Sequence, residues 1–234
     1  MTTMARRKIS IDEDFDNGKD GKQYKEAELI LLFGLTKIVN SPTPLMQEWL
    51  DVQAPQFNSA EEYFFNKKFK NLAFNISGWG EEDLKMKLIS SVLELGYLDE
   101  GNGIVTFFDK TIEASVEGIK LRVKTDFMMA KGLLDVFTTP YFHFQEYKPQ
   151  KNPTGDSMAQ LIEAFLIAQT KNKTNKPIYG VDIVGENWKF VIMEGKEYCV
   201  SPTFIATDKE DLLKIIAILR KFRWILETIL MIED

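Results

Sequence analysis

Apolar positions in the first hundred residues fall at helical spacing, and after Gly101 they fall in short alternating runs. The early pattern predicts a helix from about Glu26 to Val39, stopped by Ser41-Pro42, and a short one over Pro44 to Val52. A third is expected from Ser59, with Glu61 and Glu62 in its first turn, to about Ile76. A fourth runs from near Glu81 to Gly96 through Leu84, Met86, Leu88, Ile89, Val92 and Leu93. Beyond Gly101, residues 104–108 and 112–116 read as short strands, and Ile119 to Ala130 and Tyr141 to Lys148 as longer ones. A helix over Asp156 to Thr170, short strands at 177–184, 188–193 and 197–200, and a long helix over Asp208 to Ile232 complete the chain. Residues 1–23 are polar and read as a flexible tail, residues 24–78 as a helical N-terminal region, and residues 79–234 as an α/β domain.

Strand alternation sorts the polar residues by face. From Ile119 onward, one face carries Lys120, Arg122, Lys124, Asp126, Met128 and Ala130; from Tyr141 onward, one face carries Phe142, Phe144, Glu146 and Lys148. If the two strands form an antiparallel hairpin closed by residues 131–140, Ala130 meets Phe142, Met128 meets Phe144 and Asp126 meets Glu146. Two carboxylates directly opposite repel each other, so a fold keeps them more readily around a cation. Mg²⁺ suits such a pair, because it takes a few carboxylate oxygens and retains several waters. A metal there activates water and stabilises charge on a phosphoryl group, and Lys148 lies on the same face to orient water or phosphate.

Composition narrows the alternatives. The chain has one cysteine, Cys199, and one histidine, His143, so an internal disulfide is impossible and the ligands of a Cys/His zinc site are missing. This usage suits a reducing, cytoplasmic setting. His143 falls on the opposite strand face from Glu146 and is expected to pack. The net charge of −6 argues against a basic coat, so any nucleic-acid path must be local. Candidates are Lys120, Arg122 and Lys124, then Lys148 and Lys151, then Lys171, Lys173 and Lys176. The apolar C-terminal segment is interrupted by Lys214, Arg220, Lys221, Arg223 and Glu227, which excludes a membrane span. That helix is apolar around much of its circumference and is expected either to be buried or to form a homodimer contact.

Thr125-Asp126-Phe127 followed by Gln145-Glu146-Tyr147-Lys148-Pro149 resembles the core motif of the PD-(D/E)XK nuclease superfamily. The separation of the acids, 146 − 126 = 20 residues, falls within that superfamily's broad range. The resemblance covers roughly residues 80–200 in element order. It implies a restriction-endonuclease-like core, a mixed β-sheet flanked by helices, and hydrolysis of phosphodiester bonds in DNA or RNA with Mg²⁺ or Mn²⁺, in defence, repair or mobile-element processing. It also implies metal ligation by Asp126 and Glu146, catalysis assisted by Lys148, and auxiliary roles for Gln160 on the following helix and for an upstream glutamate, Glu82 or else Glu94. Thr125 departs from the superfamily's proline. The alternative is a nuclease fold that has lost turnover and serves as a nucleic-acid or protein binding module.

Overall fold

A computed structural model describes residues 23–98, 101–151, 153–174 and 176–231; the tail expected over 1–23 lies outside them except for Gln23. The chain is α/β. Its sheet has eight strands in the order β1-β7-β6-β5-β4-β3-β2, with β8 added against β6. The strands are β1 (Thr36–Ile38), β2 (Ile104–Val116), β3 (Ile119–Leu133), β4 (Val136–Lys148), β5 (Ile178–Val184), β6 (Asn187–Glu194), β7 (Glu197–Val200) and β8 (Phe204–Ile205). β4 runs parallel to β5 and β1 parallel to β7, and the other pairs are antiparallel, so the sheet is mixed.

The helices cover both faces. On one lie α1 (Glu26–Phe33) and α7 (Ser157–Asn172), whose Leu29, Leu161, Phe165 and Ala168 pack with Met128, Phe144, Val191 and Met193. On the other lie α2 (Pro44–Leu50), α3 (Ser59–Phe69), α4 (Leu72–Asn75), α5 (Glu81–Leu84), α6 (Ser90–Leu95) and α8 (Lys209–Ile225). They bury Trp49, Leu88, Ile216 and Phe222 against Phe127, Tyr179 and Phe190. Trp49 Nε1 donates to the Ile218 carbonyl at 3.0 Å, so the N-terminal helical region shares a core with the sheet and α8. The apolar circumference of α8 is accounted for within the chain, through Leu212, Ile215, Ile216, Ile218, Leu219 and Phe222, all buried.

Several expected boundaries shift for local reasons. The helix expected to reach Val39 stops at Phe33, because Gly34 takes a left-handed φ of 62° and caps it; Thr36–Ile38 then pair with β7. The third helix is capped by Asn58, whose side chain accepts from Ala60 and Glu61 while Glu61 returns a bond to the Asn58 N–H. The fourth contains a π turn over Lys85–Ile89 between α5 and α6. The two short strands expected at 104–108 and 112–116 are the single strand β2, and the loop expected over 131–140 contracts to a tight hairpin between Leu133 and Val136.

Two irregularities re-aim side chains near the candidate site. In β4, the register with β3 slips at Ala130, which pairs with Tyr141 while Met129 pairs with His143. This bulge turns Phe142 towards the α8 side, away from Phe144, contrary to strict alternation. In β2, Asp109 adopts a left-handed φ of 54°, and the ladder is interrupted there, between Phe108↔Phe127 and Lys110↔Thr125, without a change of register. Alternation resets across this interruption. Leu121 and Val123 pack with Met128 and Ala130, whereas Phe127 and Met129 join the opposite core. Lys120, Arg122 and Lys124 therefore fall out of phase with Met128 and Ala130, while Lys124 stays linked to Asp126 through Asp109 and Lys85. Lys120 and Arg122 instead approach Glu113, and Lys124 approaches Asp109.

Candidate functional site

The inner part of the β3–β4 hairpin keeps the expected register, with Met129↔His143, Met128↔Phe144 and Phe127↔Gln145. The next step brings Asp126 beside the end of β4. Its Oδ2 accepts the Tyr147 N–H at 2.7 Å, and its Oδ1 lies 3.1 Å from Lys85 Nζ. Glu146 is fully buried, and neither of its carboxylate oxygens has a hydrogen-bond partner among the described residues. Burial lifts its pKa well above the ordinary glutamate value, the charge of Asp126 lifts it further, and the Lys148 ammonium pulls it back only in part. Asp126, Glu146 and Lys148 thus form one electrostatic unit at the end of β4.

The opposite face of β4 is different in kind. Tyr147 OH donates to Gln145 Oε1 at 2.8 Å, and Gln145 Nε2 meets His143 Nε2 at 3.0 Å. His143 packs on Phe222, with ring centroids 4.5 Å apart. Complete burial lowers its pKa to about 3, so the ring is neutral at physiological pH. His143 is therefore a packing residue, out of reach of the Glu146 face.

The remaining expected residues are less closely placed. Gln160 is half-buried in the first turn of α7, its Oε1 3.6 Å from where a Cβ on Gly155 would stand. Glu82 sits in α5 with its side chain 85% exposed, and Glu94 is exposed on α6. Neither contributes a hydrogen bond or ion pair to Asp126, Glu146 or Lys148 among the described residues. The upstream helix instead delivers Lys85, whose ammonium lies 2.9 Å from Glu81, 3.1 Å from Asp126 and 3.8 Å from Asp109. Burial alone would lower the Lys85 pKa, but the hydrogen bond to Glu81 and the charge of Asp126 outweigh it and raise the pKa.

Asp182 also lies in this neighbourhood and was not singled out by sequence. On β5 it is in register with Glu146 on one side and Lys189 on the other. It is buried, and its Oδ1 has no hydrogen-bond partner among the described residues. Burial raises its pKa, while Ser157 and Lys189 oppose the rise. One sequence signal pointed to it: Asp182 is the lone charge in the run Ile178–Val184, and a charge inside a central strand is rarely incidental. Lys85 carried no such signal, because Lys87 two residues on looks equivalent in the sequence.

The donor chemistry can be matched to a cation. Glu146 presents two buried oxygens, offset only in part by Lys148, beside the Asp126 carboxylate. Two carboxylates suit Mg²⁺ or Mn²⁺, which complete their shells with water and carbonyl oxygens. No group of three or more His, Cys, Asp and Glu side chains among the described residues is arranged to hold a metal, so a closed all-protein cage is not what the site offers. No helix among the described residues is long and apolar enough to cross a membrane. No known protein family matches the chain, and no curated protein sequence matches it significantly.

Proposed function

We propose that the chain is a divalent-metal-dependent nuclease with a PD-(D/E)XK-type, restriction-endonuclease-like core, acting on phosphodiester bonds in nucleic acid, with DNA the foremost candidate. The observation that carries this reading is the Glu146 carboxyl, fully buried next to Asp126 with its pKa raised, and followed two residues later by Lys148. A fold gains nothing in stability from burying such a group alone, and its retention is explained by a ligand cation. The mixed sheet with helices on both faces supports the reading, as does the position of α7 against the β4 face that bears Phe144.

In this reading Asp126 and Glu146 hold Mg²⁺ or Mn²⁺, which supplies water activation and phosphoryl charge stabilisation when bound. Asp126 is fixed by the Tyr147 N–H and by Lys85. The Lys148 ammonium stabilises negative charge on the phosphate. The burial of Glu146 keeps the local dielectric low, which strengthens each of these interactions.

The test is cleavage of mixed single- and double-stranded DNA and RNA in Mg²⁺, Mn²⁺ or EDTA. Wild type is compared with Asp126→Ala, Glu146→Gln and Lys148→Ala. Metal-dependent cutting, lost in the variants with folding intact, is the expected result. No cutting by the wild type on any substrate would overturn it. One observation favours the second reading, a nuclease fold used for binding without turnover: the Lys85 ammonium already neutralises Asp126 from within the chain.

A further inference from the structure

Lys148 lines a cavity of about 570 Å³ between residues 23–25, the end of β5 and the first turn of α7. The residue is nine-tenths buried, yet its ammonium has no hydrogen bond or ion pair among the described residues. Glu146 shares its field but makes no direct contact with it, so the ammonium keeps its donors open to an anion in the cavity. Lys25 lines the same space. Asp156 is the one carboxylate in the lining, and both its oxygens are already engaged, Oδ1 by the Ala159 N–H at 3.0 Å and Oδ2 by the Glu26 N–H at 3.1 Å. The balance of charge in the cavity is therefore positive, and it lies beside the N-terminal turn of a sixteen-residue helix.

The rest of the wall is mixed. Tyr24, Pro153, Met158 and Val184 supply its apolar part, and Gln23 and Ser157 are polar. An anion subsite joined to an apolar compartment matches a phosphate carrying a base. The volume falls in the range of single small-ligand sites and accommodates one nucleotide.

We propose that this cavity binds one unpaired nucleotide, its phosphate on Lys148 and its base against Tyr24 and Met158. The ligand chemistry rests on the nuclease reading and deepens it, because the substrate must then present a single-stranded end or an extruded nucleotide.

The test uses the full chain with ¹³C-methyl-labelled methionines, in EDTA, titrated with deoxyadenosine 5′-monophosphate, its ribose counterpart or inorganic phosphate. The Met158 methyl signal is expected to shift saturably with either nucleotide, while Met46, buried in the opposite core, stays put. Lys148→Met and Tyr24→Ala are each expected to weaken binding about tenfold, with Tyr24→Phe restoring it. The Met158 measurement needs no variant to fold. No saturable shift at Met158, or inorganic phosphate binding as tightly as the nucleotides, overturns the proposal. Nucleotide binding without metal-dependent cleavage keeps the cavity and removes the nuclease reading. Cleavage with Met158 unmoved removes the cavity and keeps the nuclease.

Discussion

Glu163 offers a quantitative test of the packing on the α7 side. It sits in the middle of α7, 3% exposed, and accepts the backbone N–H of Tyr24. Burial raises its pKa from 4.5 to about 7, the Tyr24 hydrogen bond opposing the rise. Between these pH values the folded protein retains a proton that the unfolded chain has lost. Stability therefore falls as pH rises through 4.5 to 7 and levels off above. At about 1.4 kcal/mol per pH unit, the loss from this group is about 3 kcal/mol. Glu163→Gln keeps the shape and the acceptor for Tyr24 but cannot ionise. Its stability relative to wild type is expected to be near zero at pH 4.5 and about 3 kcal/mol in its favour at pH 8. Urea denaturation of both proteins at both pH values, in EDTA, gives the difference of differences and cancels the titration of groups that the two proteins share. An advantage that is equal at both pH values, or larger in acid, would refute the reasoning, because Glu163 would then not be ionising against its surroundings.

Three further outcomes follow from the site and its supports. Glu146→Gln is expected to raise the melting temperature in EDTA at pH 8, since it removes a buried carboxyl whose pKa is raised on folding, and to abolish any stabilisation by Mg²⁺; a metal-independent loss of stability would contradict this. Lys85→Met leaves Asp126 without its ion-pair partner and is expected to lower stability by about 1–3 kcal/mol in EDTA, with part of the loss recovered in Mg²⁺; thermal melts that show the same loss in both buffers would count against a shared cation position. Gly180→Ala places a Cβ 2.7 Å from the Phe144 carbonyl oxygen and from the Phe165 ring, so a loss of about 1–3 kcal/mol or more is expected in the urea midpoint.

Legibility in the sequence followed how local each determinant is. Alternation through Phe127, Met128 and Met129 against His143, Phe144 and Gln145 fixed the register that brings Asp126 to the end of β4, because those residues are buried on both faces and a one-residue slip would expose them. The features that eluded the pattern are those in which backbone geometry departs from it. The β4 bulge moves Phe142 to the other core, and the phase of β2 and β3 resets near the left-handed Asp109, so that Lys120, Arg122 and Lys124 fall out of step with Met128 and Ala130. Lys85 and Asp182 reach the site through tertiary packing, across a helix and a parallel strand, and no spacing along the chain records that. The same geometry explains why the acidic net charge does not weigh against a phosphate ligand. Asp126 and Asp156 are each held by partners of their own, whereas Glu146 and Lys148 act on one another only through their charges, with no ion pair between them among the described residues. In the nuclease reading proposed above, a metal-bound phosphodiester would meet both groups together, two residues apart on one strand.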